Sequence, residues 1–450
     1  MNSSLISQAN LLDLCEQGVN KALAAGADQA EVFATADRET EVAFEKNDLN
    51  LTSVTSETLF GIRVIVQGRQ GFATSNNPDE LAEIASEAVT IARLSPADPL
   101  NALPDPQPIT VTSPTPDPDL LSLDIETLTR WGTELVERVR QQDQRITIDS
   151  GSIGVAEEVV AIASSQGIRA SDHSAEASGS LFGMAIDGED VGSFAYDGDT
   201  VQRAELLIPA LEKAFDRFAI KCLGALGAKQ GESFRGTIIL PPDTLGEFLD
   251  DLIYVLGADS VRKGKSPLAQ KMGQLIASPL FTLIEEGTGL PDYPLDPFDR
   301  EGLPRQVTPL VNEGMLCNFL YNSYEARNVG IQSNGHAQGG AGSLPAVGPA
   351  CLRVAPGSTP MSKLYDVDRA IIVTRFSGSS NPITGDFSGV VKGGFLLKQG
   401  EKRPIMETTL AGNLYDCLRN LSAVSEEVTV FEGTTAFPAL RIEDISVTAG

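Results

Sequence analysis

The chain has 450 residues, of which 42% are hydrophobic and 21% charged, and its formal net charge at pH 7 is −27. The hydrophobic content excludes a disordered chain, and the length suffices for two or three domains. A phosphate backbone is bound through Lys and Arg, so this charge disfavours direct contact with nucleic acid. Because the charge is spread along the chain, a solubilising surface is its simplest interpretation.

The cysteines and the first residues indicate a cellular location. Five cysteines are widely scattered, so the sequence predicts neither a disulfide framework nor a CxxC metal site. The first twenty residues have no basic region and no continuous apolar run, and no later stretch is long enough to span a bilayer. We therefore expect a cytoplasmic protein without a membrane partner.

Two segments of the first half resemble each other. Residues 57–76 ("ETLFGIRVIVQGRQGFATSN") and 179–198 ("GSLFGMAIDGEDVGSFAYDG") each read as a strand, a Gly-containing turn and a second strand. Each is followed by a stretch with helical periodicity, at 78–94 and 199–218, and preceded by further short alternating runs. The pattern predicts two repeated halves, each a strand meander with a helix.

A proline-rich stretch separates the two halves. Eight of the 26 prolines fall within residues 95–120. Since proline fixes φ and has no N–H donor, this connection is predicted to be extended. Helical periodicity resumes over residues 123–143.

The sequence changes character near residue 231, where Gly-rich strands and long loops begin. Strand patterns such as "FRGTIIL", "RAIIVTRF" and "ALRIEDISVTAG" dominate, and only short helical stretches interrupt them. We therefore predict an α+β fold with an N-terminal α+β domain (residues 1–230) and a β-rich, barrel- or sandwich-like C-terminal domain (residues 231–450).

The helical stretch "LPPDTLGEFLDDLIYVLG" (residues 240–257) carries four carboxylates and an apolar stripe. Its leucines recur at three- and four-residue steps, as on the core-facing side of a helix. Asp243 is placed to cap the helix start, and Glu247 follows one turn later. Carboxylates alone on a regular helix are a poor transition-metal site, so capping and solvation are the favoured interpretation.

Histidines are scarce, and one loop is rich in glycine and polar residues. His173 and His336 are the only two histidines, which argues against a zinc site or a catalytic triad built on them. Residues 375–397 ("RFSGSSNPITGDFSGVVKGGFLL") carry strong turn signals. This loop is either an elaborate hairpin connection or the floor of a binding cavity, and spacing alone does not decide between them.

Several motifs together resemble the TldD/PmbA family, also called modulators of DNA gyrase. The resemblance spans nearly the whole chain and rests on motifs such as "NPITGDFSGVVKGGFLLKQGE", "METTLAGNLYDCLRNLSAV", "SYEARNVGIQSNGHA" and "GKSPLAQKMGQLIASPLFTLIEEGT". Within the family the chain is most similar to the PmbA (TldE) branch. The resemblance implies a heterodimer that encloses a chamber, in which a TldD-type subunit acts as a peptidase on unfolded or flexible peptides.

The family resemblance also implies where this chain lacks a metal site. The TldD-type subunit holds its metal, expected to be zinc, with a HExxxH helix and a distant cysteine. At the corresponding positions this chain has Leu249, Asp250 and Tyr254, and residues 428–440 contain no cysteine. We therefore expect no catalytic residue, metal or cofactor in this chain. Arg375, Asn381 and Asp386 are predicted to line the peptide chamber.

Three functions remain open at this point. The first is a non-catalytic subunit that forms the chamber wall beside a TldD-type partner. The second is an autonomous homodimeric peptidase with an unrecognised site, against which the scarcity of histidine argues. The third is a regulator of DNA gyrase, which the negative charge disfavours. Neither the peptide substrate nor the choice between heterodimer and homodimer follows from the sequence.

Overall fold

The computed structural model describes residues 5–431 and 433–449. The fold is α+β, as predicted, and it contains two large sheets. The first sheet takes its strands from residues 29–201 and the second from residues 229–449. The domain boundary predicted at residue 230 stays a prediction.

The N-terminal half contains an antiparallel seven-stranded sheet and helices that follow its strands. The helices are α1 (Gln8–Ala24), α2 (Leu81–Leu94), α3 (Pro118–Leu121), α4 (Ile125–Gln142) and α5 (Ala204–Gly224), and a 3₁₀ turn lies at Pro78–Glu80. The strands are β1 (Gln29–Glu45), β2 (Asp48–Val66), β3 (Arg69–Ser75), β4 (Ile146–Ser164), β5 (Arg169–Asp187), β6 (Asp190–Val191) and β7 (Ala195–Val201).

The predicted repeat corresponds to two groups of strands joined at the centre of the sheet. The order β3-β2-β1-β4-β5, with β6 and β7 both on β5, places the two halves side by side through the β1–β4 pair. The strands are longer than the short runs predicted from the sequence. Charged residues such as Asp37 and Glu39 interrupt the hydrophobic alternation of β1, but its backbone pairing with β4 continues without a break from residue 31 to 45.

One face of the first sheet is covered by helices and the other by the C-terminal half. Helices α1 and α2 pack on the first group of strands and α4 and α5 on the second, in two apolar clusters. On the opposite face, Phe33 and Ile162 pack against Phe298, Leu303 and Ala341. Helix α1 was not predicted; Ser7 caps it by accepting a hydrogen bond from the backbone N–H of Asn10.

The C-terminal half is dominated by a twelve-stranded sheet, with short helices between its strands. The helices are α6 (Pro242–Leu256), α7 (Ala258–Arg262), α8 (Ser323–Val329), α9 (Met361–Leu364) and α10 (Leu414–Arg419). The first strands are β8 (Lys229–Gln230), β9 (Phe234–Leu240), β10 (Leu283–Glu286), β11 (Gly289–Leu290), β12 (Tyr293–Pro294), β13 (Val307–Asn312), β14 (Met315–Leu316), β15 (Ala337–Gln338) and β16 (Ala346–Val347). The remaining strands are β17 (Leu352–Val354), β18 (Arg369–Ser380), β19 (Asp386–Lys398), β20 (Glu401–Met406), β21 (Thr408–Asn413), β22 (Leu421–Phe431) and β23 (Thr435–Ala449).

Five of these strands close into a barrel. Strand β23 pairs with β9, β9 with β18, β18 with β19, β19 with β21, and β21 with β23 again. Closure removes free edges only from the paired parts of these strands, because the end of β18 beyond residue 372 pairs with β19 alone. Helix α6 follows β9 directly, and its apolar stripe joins the core cluster formed by the barrel strands.

A buried group of four charges connects the two halves. Arg63 lies directly opposite Glu31 on the first sheet, with 2.6 Å between Arg63 Nη2 and Glu31 Oε2. Arg63 Nη1 lies 3.1 Å from Glu301 Oε1, and Arg300 Nη1 lies 3.0 Å from Glu31 Oε1. All four side chains are at most 6% exposed. Burial raises the pKa of Glu31, but the charges of Arg63 and Arg300 outweigh it and hold that pKa below its usual value.

Replacing Arg63 by Met is expected to lower the free energy of unfolding by about 3–5 kcal/mol, because it leaves buried carboxylates without their partner. Arg235→Met is the control, since the Arg235–Asp444 pair is 67% and 55% exposed and should contribute at most about 1 kcal/mol. Urea unfolding monitored by circular dichroism measures both. Equal midpoints for the two variants would contradict a structural role of the buried group.

Candidate functional site

Helix α6 occupies the place where the family resemblance expects the metal-binding helix. Pro242 is its first helical residue. Proline is tolerated there because the N–H at the first position of a helix has no intrahelical partner. Leu245, Leu249 and Leu252 are all at most 1% exposed and pack in the barrel core. Asp250 is exposed and Tyr254 is 42% exposed. The helix therefore buries one of the three predicted positions and presents the other two at the surface.

Leu249 does not fit a metal site. Its aliphatic side chain has no lone pair to donate, and it is 1% exposed within the core. Metal ligands in proteins are thiolates, imidazoles, carboxylates and carbonyls. Within residues 5–431 and 433–449, no group of three or more His, Cys, Asp or Glu side chains is arranged to hold a metal ion.

Asp243 does not cap helix α6, contrary to the sequence interpretation. The N-cap residue is Pro241, and no side chain accepts a hydrogen bond there. Instead, Asp243 Oδ2 lies 2.8 Å from Lys221 Nζ, which also lies 2.9 Å from Asp197 Oδ2. Burial lowers the pKa of Lys221, but the two carboxylates outweigh it and raise that pKa overall. Asp243 therefore ties α6 to helix α5 and strand β7 of the N-terminal half.

A small apolar cavity lies between α6 and the β18–β19 hairpin. Its volume is about 210 Å³. Phe387 contacts Phe248 and Phe376 edge-on, at ring-centroid distances of 6.0 and 6.1 Å. Glu247, Asp251 and the chain at 378–380 complete the lining. Burial raises the pKa of Glu247, and the neighbouring Asp250 adds to the increase. The site thus combines an apolar floor with a carboxylate rim.

The three predicted chamber residues do not lie together. Arg375 Nη2 donates to Ser193 Oγ over 3.0 Å and lines a different cavity of about 370 Å³. A β-bulge at Arg375 shifts the β18–β19 register there. Asn381 lies in the hairpin loop and Asp386 is the first residue of β19, so Arg375 is separated from them. Whether any of the three faces a chamber stays a prediction.

Asn381 and Asp386 form the turn of the hairpin. Asn381 Oδ1 accepts from the backbone N–H of Ile383 over 3.0 Å, which is an Asx turn. Asn413 donates to Asp386 Oδ1 over 3.0 Å, and hydrogen bonds from Asn413 and Thr384 lower the pKa of Asp386. Gly385 has a φ of +81°, and a Cβ there would lie 2.5 Å from the Tyr415 ring. These contacts define the loop shape before any ligand is considered.

The two histidines lie in different surroundings. His173 Nε2 is 3.0 Å from Glu157 Oε1, at a partly exposed site on β5. His336 is fully buried, with Nε2 2.9 Å from Thr308 Oγ1. Burial, with the nearby charge of Arg305, lowers the pKa of His336 to about 3. His336 is therefore neutral at physiological pH.

The cysteines are all unpaired, and four of the five are buried. Burial raises the pKa of Cys222, Cys351 and Cys417 to about 12. Because the thiolate is the form that attacks substrates and binds metals, these three thiols are unreactive at neutral pH.

Two family models match the chain. The model described as PmbA/TldA metallopeptidase C-terminal domain matches residues 233–449, and PmbA/TldA metallopeptidase domain 1 matches residues 30–92. Together they cover more than half of the sequence. The chain belongs to the TldD/PmbA family. The family resemblance inferred from the sequence is thereby confirmed.

Individual TldD/PmbA relatives agree with the family models. The chain is 29% identical over 405 residues to an uncharacterized protein of Methanocaldococcus jannaschii, covering 85% of this chain and 90% of that one. It is 27% identical over 446 residues to the protein named Metalloprotease PmbA of Escherichia coli O157:H7, covering 95% and 96%. The crystal structure of TldE from Thermococcus kodakarensis superimposes with a TM-score of 0.88 at 24% identity, over 97% of this chain and 100% of that one. The last similarity shows the shared fold.

The aromatic residues of the apolar cavity were not predicted from the sequence. Phe248 was assigned only to the helical stretch at 240–257. Phe376 and Phe387 lie in the stretch 375–397, for which a hairpin connection and a cavity floor were both left open, and neither was singled out there. Their spacing along the chain gives no sign of proximity, because the hairpin and the helix meet only after the barrel closes.

No helix of the described residues is both long and apolar enough to cross a membrane.

Replacing Leu249 by Ala is expected to lower the free energy of unfolding by about 2–5 kcal/mol, because it opens a cavity in the barrel core. Asp250→Ala is the matched control on the exposed side of the same helix, with an expected change within about 0.5 kcal/mol. Urea unfolding curves measure both. A wild-type midpoint for Leu249→Ala would show that position 249 is not a packing position.

Proposed function

We propose that this chain is the non-catalytic, PmbA/TldE-type subunit of a metallopeptidase complex whose metal is held by a TldD-type partner. The observation that carries this proposal is the burial of Leu249. At the position where the catalytic helix needs a ligand, this chain has a leucine that packs in the core at 1% exposure. A metal placed there would have to displace core packing, and no lone pair would hold it.

The neighbouring positions support the same role. Asp250 and Tyr254 lie on the exposed side of α6. One carboxylate and one phenol from a single helix do not make a zinc site, which needs three protein ligands and an open position in catalytic enzymes. The exposed side of α6 is instead available to form part of a chamber wall next to a partner.

The hairpin beside α6 offers a means of holding an extended peptide. Residues 375–380 of β18 pair with β19, and among the described strands no other strand pairs with them. An extended peptide adds to such an edge through main-chain hydrogen bonds, while pockets take alternate side chains. The cavity lined by Phe248, Phe376 and Phe387 lies next to this edge. It is the proposed pocket for an apolar side chain of a flexible or unfolded peptide.

The proposal includes a cytoplasmic location. The unpaired state of all five cysteines, as expected in a reducing compartment, supports it. The name Metalloprotease PmbA, carried by the Escherichia coli relative, is compatible with a subunit of a peptidase as well as with an autonomous enzyme. The activity of the isolated chain distinguishes the two.

The isolated chain is expected to cleave no flexible peptide, whereas mixing it with a metal-loaded TldD-type chain of the same organism should give cleavage that a chelator stops. A TldD-type chain whose HExxxH histidines are replaced by alanine serves as the control and should remain inactive in the mixture. The assay follows release of fluorescence from a quenched, unstructured peptide. Chelator-sensitive cleavage by the isolated chain would favour the autonomous peptidase instead.

Filling the apolar cavity should weaken peptide binding. Ser380 lines the cavity and lies on the same side of β18 as Phe376, so Ser380→Tyr places a ring in the space for a ligand side chain. The loss of one buried apolar side chain corresponds to at least about tenfold weaker binding. Ser377→Tyr on the opposite side of the strand is the matched control, expected to change affinity less than about twofold.

The affinity of both variants is measured by fluorescence anisotropy with a labelled, unstructured, leucine-containing peptide. Equal affinities for Ser380→Tyr and Ser377→Tyr would contradict the assignment of the cavity as the side-chain pocket. They would leave the absence of a metal site at Leu249 unaffected.

A further inference from the structure

A third and larger cavity lies between the first sheet and the loops of the C-terminal half. Its volume is about 1170 Å³, above the range of about 300–1,000 Å³ typical of small-molecule sites. One wall consists of residues on β1, β4 and β5. The proline-rich segment 113–119, residues 202–205 at the start of α5, the loops at 291–296 and 349–350, and the side chains of Arg305 and Gln338 complete the lining. The cavity shares none of its lining with α6 or the β18–β19 hairpin, and it has room for several residues of an extended chain.

The sheet wall of this cavity holds carboxylates close together. Asp37 on β1 and Glu158 on β4 are directly opposite each other in the strand register. Like charges in this position destabilise a sheet. Burial raises the pKa of Glu158 to about 7, and the charges of Asp37 and Asp296 add to the increase. Glu158 and Asp37 also share a hydrogen bond, which needs a proton on one of the two carboxyls. Once that proton is lost the two carboxylates repel each other, and a positively charged ligand would relieve the repulsion.

Asp172 is the most enclosed of these carboxylates. It is 6% exposed, and its Oδ2 has no hydrogen-bond partner in the described part of the chain. Burial and the neighbouring carboxyl of Asp296 raise the pKa of Asp172 to about 7, against the hydrogen bonds from Ser113 and from the His173 backbone, which lower it. Because two ionised carboxylates cannot hydrogen-bond to each other, the Asp172–Asp296 contact needs a proton. A buried acceptor without a donor destabilises the fold. A donor from a ligand in the cavity would remove this cost.

The cavity also presents donors that lack acceptors. Arg305 Nε and Nη1 and Gln338 Nε2 are buried, and within residues 5–431 and 433–449 none of the three atoms has a hydrogen-bond partner. A ligand that fits this cavity must therefore carry positively charged hydrogen-bond donors and also hydrogen-bond acceptors. A polyamine or a metal ion has no acceptor, whereas a peptide has a carbonyl at every residue. The described residues also provide no group of three metal-ligating side chains.

We propose that this cavity binds a basic segment of an extended polypeptide. A Lys or Arg side chain of that segment donates to Asp172 and to Glu158. Its backbone carbonyls accept from Arg305 and Gln338. The site lies within this chain alone, so the proposal does not depend on the proposed role as a peptidase subunit or on the apolar cavity beside α6.

Isothermal titration of the isolated chain with a short Gly/Ser peptide that carries several lysines tests the proposal. The same peptide with every lysine acetylated should bind at least about tenfold more weakly, because acetylation removes the charge and keeps the backbone. Equal binding of the two peptides would overturn the proposal. Spermidine and calcium chloride are titrated in parallel, and either one binding more tightly than the lysine peptide would show a small-cation site and overturn it.

A double variant locates the site. Glu158→Gln with Asp172→Asn should weaken binding of the lysine peptide at least about tenfold, because both charge-assisted hydrogen bonds are lost. The control double variant, Asp366→Asn with Glu401→Gln, removes two carboxylates at exposed positions outside the cavity, and all titrations are run at pH 8, above the pKa of Glu158 and Asp172. Its affinity should stay within about twofold of wild type. Equal losses in the two double variants would show that only the overall negative charge attracts the peptide, and would overturn the proposal.

Loss of folding does not explain weaker binding by the cavity variant. Removing two carboxylates that repel their neighbours should leave the unfolding temperature at pH 8 unchanged or higher. Thermal unfolding of both double variants measures this. A cavity variant that unfolds at lower temperature than the control would show that these carboxylates stabilise the free protein, which contradicts the proposal.

Discussion

The buried group of Glu31, Arg63, Arg300 and Glu301 is the constraint on which the arrangement of the two halves depends. Two carboxylates and two guanidinium groups neutralise one another, and residues 238 positions apart in the chain meet in it. Arg300 also stacks over the Phe33 ring at 4.2 Å, and Ser323 donates to Glu301 from both its backbone N–H and its hydroxyl. A buried ion group of this kind adds little net stability compared with apolar packing. Removing one of its members is strongly destabilising, because a buried charge is then left without a partner. It therefore specifies one relative placement of the two sheets.

The relative placement of the two sheets determines what covers the rest of that face of the first sheet. Near the ion group the face is apolar and closes against Phe298 and Leu303. Further along β1 and β4 the same face carries Asp37 and Glu158, which a solvated sheet would expose to water. The C-terminal loops enclose these carboxylates, and a large acidic cavity results.

A second link between the halves is the Asp243–Lys221–Asp197 bridge, which holds α6 against the N-terminal half. Helix α6 is thereby fixed as a packing element.

The parts of the fold that depend on local sequence were predictable. The repeated meanders, the proline-rich connection as far as residue 117 and the apolar stripe of α6 follow from periodicity and turn residues. The end of that connection was wrongly predicted to be extended: it forms helix α3, where Pro118 is tolerated in the first turn and Asp117 caps the start. Contacts made over long sequence separations were not. Glu31 reads as an ordinary polar residue of an alternating strand, and no local signal marks its meeting with Arg300. Arg375 was grouped with Asn381 and Asp386 because they are neighbours in sequence, but the bulge in β18 brings Arg375 to Ser193 instead. Asp243 was expected to cap helix α6, but it forms an ion pair with Lys221 of helix α5 instead.

The absence of a metal-ligating residue at position 249 ties the fold to the proposed function. If Leu249 occupies the position at which a TldD-type chain has a metal ligand, this chain holds no metal. The complex would then need only the metal of its TldD-type partner. The most direct test is the metal content, by inductively coupled plasma mass spectrometry, of the complex co-purified from the native host and of each chain after separation. About one metal ion per pair of chains, retained by the TldD-type chain alone, is the predicted result. Stoichiometric zinc on the separated chain described here would contradict the account.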